Sequence, residues 1–162
     1  MSNIREFDGK RPRVAPGAWI DPAAVVIGDV QIGADSSIWP HTVVRGDIQA
    51  IRVGRGSNIQ DGSVLHNSHD GPFMPGGAAL LIGDRVTVGH KAILHGCEIG
   101  DDCLIGMGAI VMDKAVVESG VMVGAVDPEG EICDLIDNDC DGEIDEGAAG
   151  GTIYYRDADS DT

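Results

Sequence analysis

Three of the five histidines in this 162-residue chain, His66, His90 and His95, lie within thirty residues of one another in an otherwise aliphatic, glycine-rich stretch. Neutral imidazole is a common ligand for transition metals, and three imidazoles on one ion leave a position open for water or substrate. The spacing is awkward for a single element. His90 and His95, in VTVGHKAILHGCEIG, are five apart. That is not a helical face offset, and an odd offset puts two strand residues on opposite faces. Either the backbone turns between them or a second chain supplies a ligand. Two polar clusters lie upstream, Arg45-Gly46-Asp47 and Gln60-Asp61.

The elements that must position these groups are written as a repeat. Aliphatic residues recur every six positions at Ile20, Val26, Ile32, Ile38 and Val44, then at Val53, Ile59 and Leu65. The pattern resumes at Ile82, Val88 and Leu94, then at Ile99, Ile105, Val111, Val117 and Val123. Four residues after most of them comes a small side chain, such as Ala24, Ser36, Thr42, Ser57, Ser63, Ala92 or Cys103. Ile48 and Glu98 break that rule, where the register slips. Period six matches neither an amphipathic helix nor simple alternation. It is the hexapeptide signature of a parallel β-helix, in which three sixes make one rung. Aromatics at 4% and 24 glycines suit such a thin core of small branched side chains. The expectation is an all-β chain with an N-terminal segment at 1–19, a coil at 20–125 and a tail at 126–162. Sixteen units predict about five rungs, roughly 24 Å at ~4.8 Å per strand. A Gly/Pro-rich loop over 66–81 and the five-residue step from Leu94 to Ile99 interrupt the coil.

On such a prism Val53, Ile59 and Leu65 occupy successive sides, and Ile82, Val88 and Leu94 repeat them one rung on. His66 and His95 each follow an inward leucine by one. They should therefore point outward from one side, about 4.8 Å apart, within reach of one metal ion. His90 falls two after Val88, on another side. The simplest way to complete the pair is His90 from a neighbouring copy.

WPHTVVRGDI, NIQDGSVLH, VTVGHKAILHGCEIG and LIGMGAIVMD, in this order and spacing, resemble the gamma-class carbonic anhydrase family, most nearly its short bacterial hexapeptide branch. The resemblance covers about residues 12–124. It implies a left-handed β-helix and a homotrimer with metal at the subunit interfaces, Zn²⁺ or in some members Fe²⁺ or Co²⁺. His66, His90 and His95 match the family's ligands. Arg45 and Asp47 match an interface ion pair, with the arginine placed to meet bicarbonate. Gln60 and Asp61 match residues that orient the metal-bound hydroxide which attacks CO₂, and that bridge to a neighbour's arginine. The loop 66–81 has no glutamate, whereas active members carry glutamates there as proton shuttles. Two alternatives follow: a non-catalytic metal-binding trimeric scaffold, and a hexapeptide acyltransferase, which would need one histidine rather than three.

Charge separates the tail. Residues 1–125 carry 14 acids against 10 Lys/Arg, whereas 126–162 carry 13 acids and only Arg156. Asp137, Asp139 and Asp141, with Gly142 and Ile144, match the opening of an EF-hand calcium loop. The acid expected at position twelve is replaced by Ala148. The tail resembles Asp-rich, cysteine-paired calcium-binding repeats of secreted bacterial proteins, in which Cys133 and Cys140 would form a disulfide. A solvated acidic tail is the competing reading. The net charge of −16 argues against nucleic acid or an anionic membrane as partner. No apolar run approaches a spanning length. With no secretory leader visible in MSNIREFDGKRPR, the expected location is cytoplasmic.

Overall fold

The computed structural model describes residues 3–124, within a unit, Met1–Gly124, distinct from Ala125–Thr162. The expected calcium ligands Asp137, Asp139 and Asp141, and the cysteines Cys133 and Cys140, lie outside the described residues.

Strands mostly of two or three residues, with Val25–Ile32 and Val43–Val53 each running through two faces, pair in parallel with strands one turn away, and three faces result. Ile4, Val26, Val44, Leu65, Leu94 and Val111 align on one face. Val14, Ile32, Val53, Ile82, Ile99 and Val117 align on the second. Ile20, Ile38, Ile59, Val88, Ile105 and Val123 align on the third. The aliphatic sixes thus become three inward ladders. Their central members, among them Ile38, Ile59, Leu65, Leu94 and Ile105, are fully buried, each worth ~1.5–3 kcal/mol relative to exposure.

Among the described residues each face is six strands deep, one rung more than the sixes predict. The extra rung comes from Ile4–Arg5 and Arg13–Val14, which pair along Val25–Ile32. Their unit spacing is irregular, so a strict six-residue step misses them.

The small inward positions are polar for a reason. Ser36, Thr42, Ser57 and Ser63 are buried, and each hydroxyl donates to a carbonyl of the next rung, at Gly54, Gln60, Gly83 and Gly89. They satisfy backbone acceptors that the corners would otherwise leave unpaired inside the coil.

Two irregularities shape the surface that matters. Between Gly28↔Gly46 and Val30↔Ile51 the register offset grows from 18 to 21 residues, so the segment around Asp47-Ile48-Gln49 is extruded. Ile51, not Ile48, takes the inward place. At the five-residue step, Cys97 fills the inward place three residues after Leu94 and is fully buried; Glu98 faces out. The excursion after His66 is closed by antiparallel bridges Ser68↔Ala78 and Gly71↔Met74, with Phe73 fully exposed. No helix among the described residues is long and apolar enough to cross a membrane.

Candidate metal centre

The strands Val64–His66 and Ile93–His95 pair with Leu65 opposite Leu94 and His66 opposite His95. Because side chains alternate along a strand, leucines that point into the coil oblige both histidines to point out. His66 Nδ1 lies 3.0 Å from His95 Nε2, with ring centroids 5.0 Å apart and the planes inclined by 61°. The expected stacking of these two residues is therefore what the fold delivers.

The outer nitrogens of both rings are held by carboxylates. His66 Nε2 is 3.0 Å from Asp47 Oδ1, while Arg45 donates to Asp47 Oδ2. His95 Nδ1 is 3.0 Å and 3.1 Å from the two oxygens of Asp113. A continuous polar column, Arg45–Asp47–His66–His95–Asp113, thus crosses the rungs marked by Val44, Leu65, Leu94 and Val111. Asp47 reaches it because the extruded segment is pinned from behind. Buried Asn67 accepts from Gln49 N (3.1 Å) and donates to Gln49 O (2.7 Å). Gly46 belongs in the same device: a Cβ there would press on the Asp29 backbone.

His90 stands apart, as its side of the prism requires. It is half-exposed at a corner where Lys91 N donates to Asp61 O and Gly108 N donates to His90 O. Asp61 is the residue one rung below it, and its Oδ2 lies 3.1 Å from His90 Nδ1. Gln60, half-buried, precedes it on the third face. Asp61 thus meets its own chain's His90; the bridge to a neighbour's arginine that the resemblance implies involves a second copy. Among the described residues of one chain, no three metal-ligating groups converge.

Electrostatics favour ligand-ready forms. Burial pushes the His66 imidazolium down, against the hydrogen bond from Asp47, and the charges of Arg45 and His95 add to the push; the net shift is downward. Burial raises Asp47, but hydrogen bonds from His66, its backbone and Arg45 outweigh it and hold the carboxyl below its ordinary range. A neutral imidazole beside an ionised carboxylate is the protonation state that metal binding needs. The donor set also fits in size. Two nitrogens on a tetrahedral ion at ~2.0–2.1 Å stand about 3.3 Å apart, close to the gap seen between His66 and His95.

Sequence reasoning passed over two members of the site. Asp113 follows His95 by 18 residues, about one turn, so the rung period was the signal for it. Asn67 adjoins a ligand candidate but reads as one more loop asparagine until its burial is seen.

Comparison with known proteins places the coil among hexapeptide-repeat proteins. Residues 11–46 match the model for bacterial transferase hexapeptide, six repeats. Protein YrdA of Escherichia coli is 48% identical over 114 residues, 70% of this chain and 62% of that protein. Gamma carbonic anhydrase 2, mitochondrial, of Arabidopsis thaliana is 49% identical over 122 residues, 74% of this chain and 42% of that protein. This chain is a hexapeptide-repeat protein with gamma carbonic anhydrases among its homologues. Its solenoid is a left-handed parallel β-helix of hexapeptide repeats. A solved hexapeptide transferase family protein from Anaplasma phagocytophilum superposes with a TM-score of 0.65 at 45% identity, covering 74% of this chain and 66% of that one. The chain spans about three fifths of YrdA and two fifths of the plant gamma carbonic anhydrase.

Proposed function

We propose that the protein is a metal-dependent carbonic anhydrase, interconverting CO₂ and bicarbonate at sites shared between three copies. The observation that carries this is the outward pair His66 and His95, nitrogens 3.0 Å apart, with His90 of the same chain facing away at another corner. A site that needs all three histidines needs a neighbour. Each chain would give a pair to one interface and His90 to another, a heterologous contact that must close into a ring. An apolar outward ladder, Val64, Ile93 and Ile110, lies in register beside the histidine pair and is one-third to two-thirds exposed, which suits burial against a partner.

His66, His95 and a neighbour's His90 would hold Zn²⁺, Fe²⁺ or Co²⁺. Such an ion supplies Lewis acidity, lowering the pKa of water so that a strong nucleophile is available near neutral pH. The chain's own residues do the rest. Asp47 and Arg45 fix His66, and Asp61 fixes His90. Arg45, whose guanidinium is partly exposed, is placed to attract the anionic product, and Gln60 to hydrogen-bond a small oxygen ligand.

Two other readings remain for the same fold: a metal-binding scaffold without catalysis and a hexapeptide acyltransferase. The loop after His66, which lacks glutamate, favours the scaffold over the enzyme on the point of proton export. Against the transferase stands the number of candidate histidines, His66, His90 and His95, where a single catalytic base would suffice.

Stopped-flow CO₂ hydration on the Zn²⁺- or Co²⁺-loaded full chain separates these readings. A rate above buffer that His90→Ala abolishes along with bound metal supports the proposal. Metal bound with no rate leaves the scaffold. Metal content unchanged in His90→Ala sinks the shared site. Complementation adds a sharper check. Mixing His90→Ala with His66→Ala/His95→Ala chains should restore about a quarter of the sites in a random closed ring, because only some interfaces receive both intact halves. No recovery on mixing would contradict it.

A further inference from the structure

We infer that Asp113 is a positioning residue: it fixes His95 in the tautomer protonated on Nδ1, so that the Nε2 lone pair faces His66. The inference about the metal rests on the functional reading above; the tautomer itself does not.

The argument is one of donors and acceptors. An ionised carboxylate accepts and cannot donate. Both oxygens of Asp113 lie within hydrogen-bond reach of His95 Nδ1, so that nitrogen must carry the proton. Nε2 is then bare. The same logic at the other end, where Asp47 accepts from His66 Nε2, leaves His66 Nδ1 bare as well. The two bare nitrogens face each other across 3.0 Å with no proton for the space between them. Two lone pairs so close repel; a cation between them reverses the sign. Asp113 therefore does more than hold a ring in place. It removes one of the two arrangements in which the pair would satisfy itself without an ion, an Nε2–H donating to His66; Asp47 removes the other, a His66 Nδ1–H donating to His95.

The fold reserves a seat for this carboxylate. Asp113 lies one rung beyond His95, with its side chain only 14% exposed. It reaches back over Gly96, where a Cβ would run into Asp113 Oδ1 and into Ala78. Gly96 has φ of +57°, the left-handed region that glycine enters without strain. The bond from Lys114 N to Gly96 O fixes the approach from the other side. Carboxylates that hold the far nitrogen of a ligating histidine typically matter 10–100-fold for metal affinity.

The test uses the full-length protein, ¹⁵N-labelled at histidine, with tautomers read from long-range ¹H–¹⁵N correlations of the metal-free form near pH 8. Wild type should show His95 protonated on Nδ1. Protonation on Nε2 would overturn the inference whatever any variant does. Asp113→Asn keeps the shape but can donate as well as accept, so it no longer dictates the proton's place. His95 should then populate both tautomers, and Zn²⁺ affinity, measured by competition with a chromogenic chelator, should fall 10–100-fold. His66 and the backbone signals of the coil should stay in place. An unaltered tautomer together with affinity within twofold of wild type would overturn the positioning role. If wild type binds no Zn²⁺ yet shows His95 on Nδ1, the metal reading fails and the positioning role stands.

Discussion

Asn67→Ala should destabilise the coil by about 2–4 kcal/mol and loosen the candidate metal centre at the same time. Asn67 is 1% exposed. Its amide closes a two-bond clip on the extruded segment, accepting from Gln49 N at 3.1 Å and donating to Gln49 O at 2.7 Å. Truncation strands one backbone N–H and one C=O of half-buried Gln49, and each such group costs ~1–3 kcal/mol when cut off from water. Relief by an entering water keeps the total in the lower half of the doubled range. The functional effect follows from what the clip holds. The same segment carries Asp47, which fixes His66 and receives Arg45. A looser segment lets the His66 ring turn, so metal affinity should drop along with stability. Urea unfolding followed by far-UV circular dichroism, at fixed protein concentration because assembly adds to apparent stability, measures the first. Chelator competition measures the second. Asn67→Asp serves as the companion variant. It can still accept from Gln49 N but sets a charge against Gln49 O, so it should do no better than alanine. A loss below about 1 kcal/mol in Asn67→Ala would refute the clip, since even one stranded group costs that much.

Other consequences are simpler to read. Leu94→Ala, midway between Leu65 and Val111 on its ladder, should cost about 2–5 kcal/mol in the same unfolding experiment; a cost near zero would mean the rung collapses to fill the gap. The Cys97 thiol, pushed up to about 12 chiefly by burial, should resist Ellman's reagent at pH 8 until denaturant is added. Labelling of Cys97 in the native protein, identified by peptide mapping, would contradict its burial. Burial raises the Asp29 carboxyl, but the hydrogen bond and charge of Arg52, with help from Lys10, outweigh it and hold the pKa below the ordinary value. The native state therefore binds this proton less readily than the unfolded chain, and the stabilisation is present above pH about 4 and lost as pH falls further. Asp29→Asn should flatten that part of the stability profile; an unchanged acid limb would show the pair to be inert.

The ladders were legible because a solenoid core is a one-dimensional pattern. Each inward residue contacts the residue one turn away, so spacing alone assigned Leu65 to Leu94 and thereby His66 to His95. Legibility failed where backbone hydrogen bonding, rather than side-chain pattern, sets the register. Ile4–Arg5 and Arg13–Val14 pair with the first full rung despite irregular spacing. The extrusion at Asp47–Gln49 and the shortened step to Cys97 both shift which residue turns inward, from Ile48 to Ile51 and from Glu98 to Cys97. These departures also place the site's supporting groups. The extrusion carries Asp47 out to His66. The shortened corner contains Gly96, the only kind of residue that leaves room for Asp113 to reach His95. A repeat that kept strict sixes throughout would put an ordinary side chain at both corners and leave two bare histidines on a flat face. The breaks in the pattern, not the pattern, turn a histidine ladder into a site in which a carboxylate holds one nitrogen of each ring. That is also why Asp113, though it closes the motif LIGMGAIVMD, shows its role only once the next turn of the coil brings it to His95.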